Sequence, residues 1–305
     1  MAVTLQHARE CLTGPLGSLR TPFNRDGSID FEGVKRVIDF VLNTGSKTTL
    51  LTAGDSHFEC MSDEEIGQMN KLAAEHTAGR ALVVGADWQF ATTQAISFAK
   101  DCAAWGVDIL MTRPPDWAKS ATVDTLVEFY TKVGEHIPVM LVTNIFAPRP
   151  DSFGIHVMQA LADRVPNMIA AKDDLQGDFA RQMCMIGKGK WATFAGGGQR
   201  NFLNMWPYGC DGFMCRHMNF KPSISYDFWN ALQANDSQKA AELTRTIELP
   251  LENHMATYTG GRDAAVHGLM EIFDVAGRFR RPPYYSLNDQ EMKELKAFVK
   301  NMGLL

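Results

Sequence analysis

No stretch of this 305-residue chain is apolar over the roughly 18 residues needed to cross a bilayer as a helix, so a membrane protein of that kind is not expected. There is no excess of basic residues. The formal net charge of −5 gives no support for nucleic acid binding, which favours basic patches. The first residues, Met1 to His7, lack the basic start and apolar core of a secretory leader, and a cytoplasmic location is expected. The six cysteines contain no CxxC pair and are scattered, so they read as reduced and mostly buried, neither a disulfide frame nor a zinc site. No GxGxxG fingerprint follows the first β-like run, which argues against an open dinucleotide-binding sheet. Also missing are a Pro/Ser-rich linker, a low-complexity tract and an internal repeat beyond the βα units described next.

What is present is alternation. Short apolar runs at Thr48–Thr52, Ala81–Ala86, Ile109–Thr112, Pro138–Val142, Met168–Lys172, Ala192–Ala195 and Gly212–Arg216 read as strands, with Leu16–Thr21 as a weaker first one. Helical stretches lie between them, from Phe31–Asn43 to a last one beginning near Lys221 and Pro222. In the first, Val34, Val37, Ile38, Val41 and Leu42 recur at helical spacing. Ser62 with Glu65 forms a capping-box signature for the second. Eight β-runs each followed by a helix predict a (β/α)8 TIM barrel over residues 1–236. Residues 237–305 carry only helical patterns and are expected to be a C-terminal helical appendage, not an independent domain.

One lysine stands out. Lys172 follows the apolar run Met168-Ile169-Ala170-Ala171 and precedes Asp173 and Asp174, at the mouth of a buried strand. Desolvation disfavours an ammonium ion, and a neutral lysine is a nucleophile for carbonyl carbon, able to form a Schiff base. A lysine at a strand end paired with Asp173 or Asp174 is the plain structural alternative. In barrels of this kind the active site lies at the C-terminal strand ends. Those ends gather Thr21, the segment Thr52 to His57, Asp87, Arg113, Thr143 and Asn144, Lys172, Gly196 to Gly198, and Arg216 with His217. Arginines for a carboxylate and a lysine for a carbonyl suit an anionic oxo-acid substrate.

Several motifs sharpen this reading: Thr21-Pro22-Phe23 followed by Asp26-Gly27-Ser28-Ile29-Asp30, Met61-Ser62-Asp63-Glu64-Glu65, Ala171-Lys172-Asp173, Met218-Asn219-Phe220-Lys221-Pro222, and Gly277-Arg278-Phe279-Arg280-Arg281-Pro282-Pro283. On these residues the chain resembles the dihydrodipicolinate synthase / N-acetylneuraminate lyase family of class I, Schiff-base barrel enzymes over nearly its whole length. The resemblance implies that Lys172 is the imine-forming lysine. It also implies a pyruvate or other 2-oxo acid substrate, no metal or other cofactor, and a homo-oligomer, a tetramer or dimer.

The departures from the family pattern bear on mechanism. Where the family carries a GTTGE-type loop, this chain has Ala53-Gly54-Asp55-Ser56-His57, with Glu59 two residues on. Where the family has a tyrosine in a YN-x-P step, this chain has Asn144 by an ungapped count, or Thr143 with a one-residue shift. A threonine hydroxyl is a far poorer acid than a phenol, so another group must relay protons. Asp55 and His57 are the expected replacements, with Thr143 as part of a water relay. Gly54, Ser56, Asn144, Gly196, Arg113 and Arg216 are the expected substrate contacts. The leading expectation is a lyase for aldol cleavage or condensation. A dehydratase of a 2-keto-3-deoxy sugar acid shares the same first step. A non-catalytic 2-oxo acid binding protein, and a metal-dependent aldolase using Asp55, His57, Glu59, Asp87 and His217, are the alternatives of other classes.

Overall fold

The computed structural model describes residues 3–305. Its strands are β1 (Gly14–Leu16), β2 (Thr48–Leu50), β3 (Leu82–Ala86), β4 (Ile109–Met111), β5 (Val139–Val142), β6 (Met168–Asp173), β7 (Ala192–Ala195) and β8 (Gly212–Met214). They form one parallel sheet in the order β1-β8-β7-β6-β5-β4-β3-β2. A bridge from Ser18 to Leu50, with the Leu19 amide donating to the Leu50 carbonyl at 2.7 Å, joins the two outer strands and closes the ring. Strands covered on both faces are mostly apolar, and seven of the eight are buried at every residue. The eightfold parallel barrel expected from the alternating pattern is therefore the observed architecture.

Helix α1 (Leu5–Leu12) precedes the barrel. Seven helices then follow β1 to β7: α2 (Phe31–Asn43), α3 (Asp63–Thr77), α4 (Thr92–Trp105), α5 (Val123–Gly134), α6 (Asp151–Arg164), α7 (Gly177–Gly187) and α8 (Gly198–Met205). α9 (Ser223–Gln233) follows β8. Their boundaries follow local chemistry. Asp30 caps α2 by accepting from the Gly33 amide at 2.8 Å, and a Cβ at Gly33 would sit 2.3 Å from that carboxylate. Ser62 and Glu65 form the reciprocal cap of α3. α1 was not expected from the pattern. It sits against the N-terminal ends of β7 and β8, where Arg9 donates to the Trp191 carbonyl at 2.7 Å and pairs with Asp211 at 3.1 Å. The first strand also corrects the sequence reading: it spans Gly14–Leu16, where Leu16–Thr21 was expected.

After residue 236 the chain is helical, as α10 (Ser237–Leu243), a π turn (Thr244–Glu248), α11 (Leu249–Met255), α12 (Gly261–Ile272) and α13 (Asp289–Asn301). These helices share one apolar core with the barrel, through residues such as Leu251, Val266 and Leu295. Arg281 reaches back to Glu65 of α3 at 2.7 Å. Among the described residues no helix is long and apolar enough to cross a membrane.

Candidate active site

The C-terminal strand ends surround a cavity of about 290 Å³. Lys172 enters it from the end of β6, hydrogen-bonded in register between Val142 of β5 and Phe194 of β7. The lysine is only 5% exposed, and its Nζ lies 2.6 Å from both carboxylate oxygens of Asp174. The ion pair offered by the plain reading is thus present, and it holds the amine inside the cavity. Its neighbour Asp173 turns away from the cavity and organises the loop. It accepts from the amides of Leu175 and Gln176, from Asn201 Nδ2 and from Thr143 Oγ1, at 2.9 to 3.2 Å. Burial raises the Asp173 carboxyl above its ordinary range, against those hydrogen bonds.

Of the residues expected at the site, Lys172, Gly54, Asp55, Asn144, Arg113 and Arg216 line the cavity. Four do not. Thr143 is fully buried, and its hydroxyl accepts from the Asp174 amide at 2.8 Å while donating to Asp173. It fixes the loop that carries Asp174, and the cavity-facing residue of that pair is Asn144. Ser56 is buried with its hydroxyl donating to the Leu19 carbonyl at 2.6 Å. A Cβ at Gly196 would lie 2.0 Å from Asp174 Oδ1, so this glycine permits a close approach of loops, and its neighbours Gly197 and Gly198 reach the cavity.

His57 is the largest correction. Its backbone is left-handed, at φ 60°, and the reversal turns the imidazole away from the cavity toward α12. There Nε2 lies 2.8 Å from Asp263 Oδ2, and the ring is 1% exposed. Asp263 also pairs with Arg280 at 2.5 Å and with Arg20. Arg20 is buried and bridges back to the site: its Nη2 lies 3.0 Å from Asp55 Oδ1. Ser18 donates to the other Asp55 oxygen at 2.7 Å. Burial would raise the Asp55 carboxyl, but Arg20, Arg216 and the Ser18 hydrogen bond together outweigh it and hold the group below the usual carboxylate range. Asp263 lies well below that range, because Arg20 and the His57 hydrogen bond overcome its burial. His267 is driven well below the usual imidazole range by burial, with the nearby His57 acting in the same direction. His57, Asp263 and His267 bring ligand atoms within 4.8 Å of one another. Two guanidinium groups already occupy the carboxylate of that group, and they oppose any added cation.

On the opposite wall Arg113 lies over the Trp88 ring, 5.1 Å from its centroid. Beneath it Asp87 is buried. It accepts from Thr112 Oγ1 at 2.5 Å and from the Arg113 amide at 3.1 Å, and burial pushes its carboxyl up to about 7. The folded state therefore binds this proton more tightly than the unfolded state. The stability it contributes should be fully present below about pH 4 and should fall as pH rises towards 7. Melting temperature against pH should fall less steeply across that window in Asp87→Asn than in the parent protein. Parallel curves would show that Asp87 is ionised throughout.

Sequence reasoning missed Arg20 and Asp263, which stand 243 positions apart, and it weighed Asp174 only as a structural partner of the lysine. Of the aromatics near the strand ends, Trp88 lines the cavity, Phe58 and Phe146 are buried, and Trp117 is 89% exposed. His217 is buried, its ring lowered to about 4 by burial, with Nδ1 3.7 Å from Cys215 Sγ.

The model of the dihydrodipicolinate synthetase family matches residues 11–302. Among curated proteins, a 4-hydroxy-tetrahydrodipicolinate synthase of Novosphingobium aromaticivorans is 25% identical over 96% of this chain and 98% of its own. A probable 5-dehydro-4-deoxyglucarate dehydratase of Bradyrhizobium diazoefficiens is 26% identical over 92% of this chain and 90% of its own. Among solved structures, YagE of E. coli K12, determined in complex with pyruvate, superposes with a TM-score of 0.81 at 20% identity, covering 96% of this chain and 99% of that one.

Proposed function

Because this chain belongs to the dihydrodipicolinate synthetase family, whose members are class I lyases and aldolases, we propose that it forms a Schiff base between Lys172 and pyruvate or another 2-oxo acid and makes or breaks a carbon–carbon bond. The observation that carries this reading is the Lys172 amine, buried at the end of β6 and facing a cavity that it shares with Arg113 and Arg216. The Lys172 ammonium passes a proton to Asp174, the freed amine adds to the ketone carbon, and the carbinolamine hydroxyl takes that proton back and leaves as water, which gives a protonated imine. That imine draws in the electron pair of the bond being broken. Asp174, 2.6 Å from the nitrogen, offsets the positive charge that the imine retains. The structural relative solved with pyruvate supports the choice of ligand class.

Asp55 takes the relay role on this reading, without His57. Arg20 keeps the Asp55 carboxylate ionised, so a proton acceptor is present at neutral pH, a weaker base than a free carboxylate that takes the hydroxyl proton of an aldol substrate as the carbon–carbon bond breaks. Dehydration of a sugar acid through the same imine is the second reading, favoured by the dehydratase among the relatives. Incubation with a panel of 2-oxo acids and borohydride, followed by peptide mass mapping, tests the proposal. A single adduct on Lys172 is expected. An adduct on another lysine, or none with any acid, would remove the Schiff-base reading.

A further inference from the structure

Arg113 and Arg216 stand just beyond the ends of β4 and β8. The sheet order puts these strands four steps apart in either direction round the ring, on opposite walls. With ordinary strand spacing and tilt, opposite walls of an eight-stranded barrel lie ~15 Å apart. Lys172, at the end of β6, is two strands from each. All three side chains line the same cavity. The nucleophile therefore sits midway round the wall between two guanidinium groups.

Neither guanidinium is fully neutralised from within. Among the described residues Arg113 has no carboxylate partner. It rests on Trp88, and its Nε is buried without a hydrogen bond. Arg216 has Glu252 at 3.2 Å, but Arg262 takes the same carboxylate at 3.1 Å, so one negative charge serves two arginines. The acidic groups of the cavity are committed elsewhere: Asp174 to Lys172 and Asp55 to Arg20. Glu59 is exposed and screened by solvent. A ligand with one carboxylate would match one arginine and leave the other facing a partly desolvated cavity without an anion of its own. A ligand with a carboxylate on each side of its ketone would match both.

We propose that the site takes a 2-oxo acid carrying a second carboxylate, with Arg113 and Arg216 each holding one carboxylate and Lys172 attacking the ketone between them. This rests on the Schiff-base reading above. Bidentate guanidinium–carboxylate pairing supplies both the affinity and the orientation.

The test compares 2-oxoglutarate with 2-oxopentanoate, acids of equal length that differ in the distal carboxylate. Reduction of the imine adds the mass of the acid less one oxygen atom, so trapping is read directly from the protein mass. Half-maximal trapping of 2-oxoglutarate is expected at a concentration at least ~10-fold lower than that of 2-oxopentanoate, with the gap narrowing in high salt. Of Arg113→Gln and Arg216→Gln, one should weaken trapping of both acids alike, because it serves the 2-oxo carboxylate. The other should weaken only the dicarboxylate, and lysine at that position should restore part of the preference. Equal trapping of the two acids by the parent protein would overturn the proposal, as would a preference that survives both variants. Calorimetric titration of Lys172→Ala with 2-oxoglutarate separates this proposal from its premise. Binding there that is lost on adding Arg113→Gln or Arg216→Gln supports the dicarboxylate site even where no adduct forms. Absence of binding in that titration, together with no adduct in the parent protein, overturns it.

Discussion

Turnover should fall by on the order of 10⁴-fold or more when Lys172 is replaced by alanine, because no other group in the cavity can form the covalent electron sink. Lys172 and Asp174 are the only lysine and its carboxylate partner facing this cavity among the described residues. The substitution removes a side chain anchored at a strand end and leaves Asp174 a quarter exposed, so water can hydrate the abandoned carboxylate and the fold should survive. Asp55→Asn should behave differently. It should slow the bond-making or bond-breaking step by about 10²-fold or more while borohydride trapping on Lys172 stays intact. Steady-state rates beside trapping yields distinguish the two. Retention of turnover in the alanine variant would mean that the chemistry runs without an imine.

Arg20→Met should destabilise the protein by about 3 kcal/mol, near the low end of the cost of breaking a buried ion pair. Arg20 is 1% exposed and is held by two carboxylates on different parts of the chain, Asp55 and Asp263. Removing its charge leaves both with one cation fewer. They keep 24% and 31% of their side-chain exposure, and Asp263 retains Arg280 and His57, which limits the loss. Adding Asp263→Asn to Arg20→Met should cost less than Asp263→Asn costs alone, a coupling that urea denaturation of the four proteins in the cycle can measure. A change below about 1 kcal/mol for Arg20→Met would mean that the network contributes little beyond a surface pair.

The barrel was legible because its signals are local. A buried parallel strand needs a short continuous apolar run and the helix after it needs helical spacing, and both can be counted along the chain. Lys172 was legible for the same reason, as a charge placed where such a run ends. The direction of loop side chains was not. His57 and Asp55 are two positions apart, yet one left-handed residue sends the imidazole out toward α12 while the carboxylate stays in the cavity. Thr143 and Asn144 divide in the same way, because the turn of Thr143–Phe146 gives the threonine hydroxyl to the next loop. Arg20 lies in a segment read as strand, and nothing near it in sequence announces a carboxylate partner 243 positions away. The N-terminal helix was missed because eight residues carry too few apolar positions to establish a period.

The link from Arg20 to Asp263 also sets an order of events during synthesis. A nascent chain emerging from the ribosome would present all eight strands, the lysine and both cavity arginines before α12 had been made. At that stage Arg20 would have Asp55 alone, and His57 would have no carboxylate. Pairings of such long sequence separation close late, after the loop entropy between them has been overcome. The cavity of this protein should therefore acquire its final charge balance only when α12 has been made and has docked, which delays competence beyond completion of the eight strands.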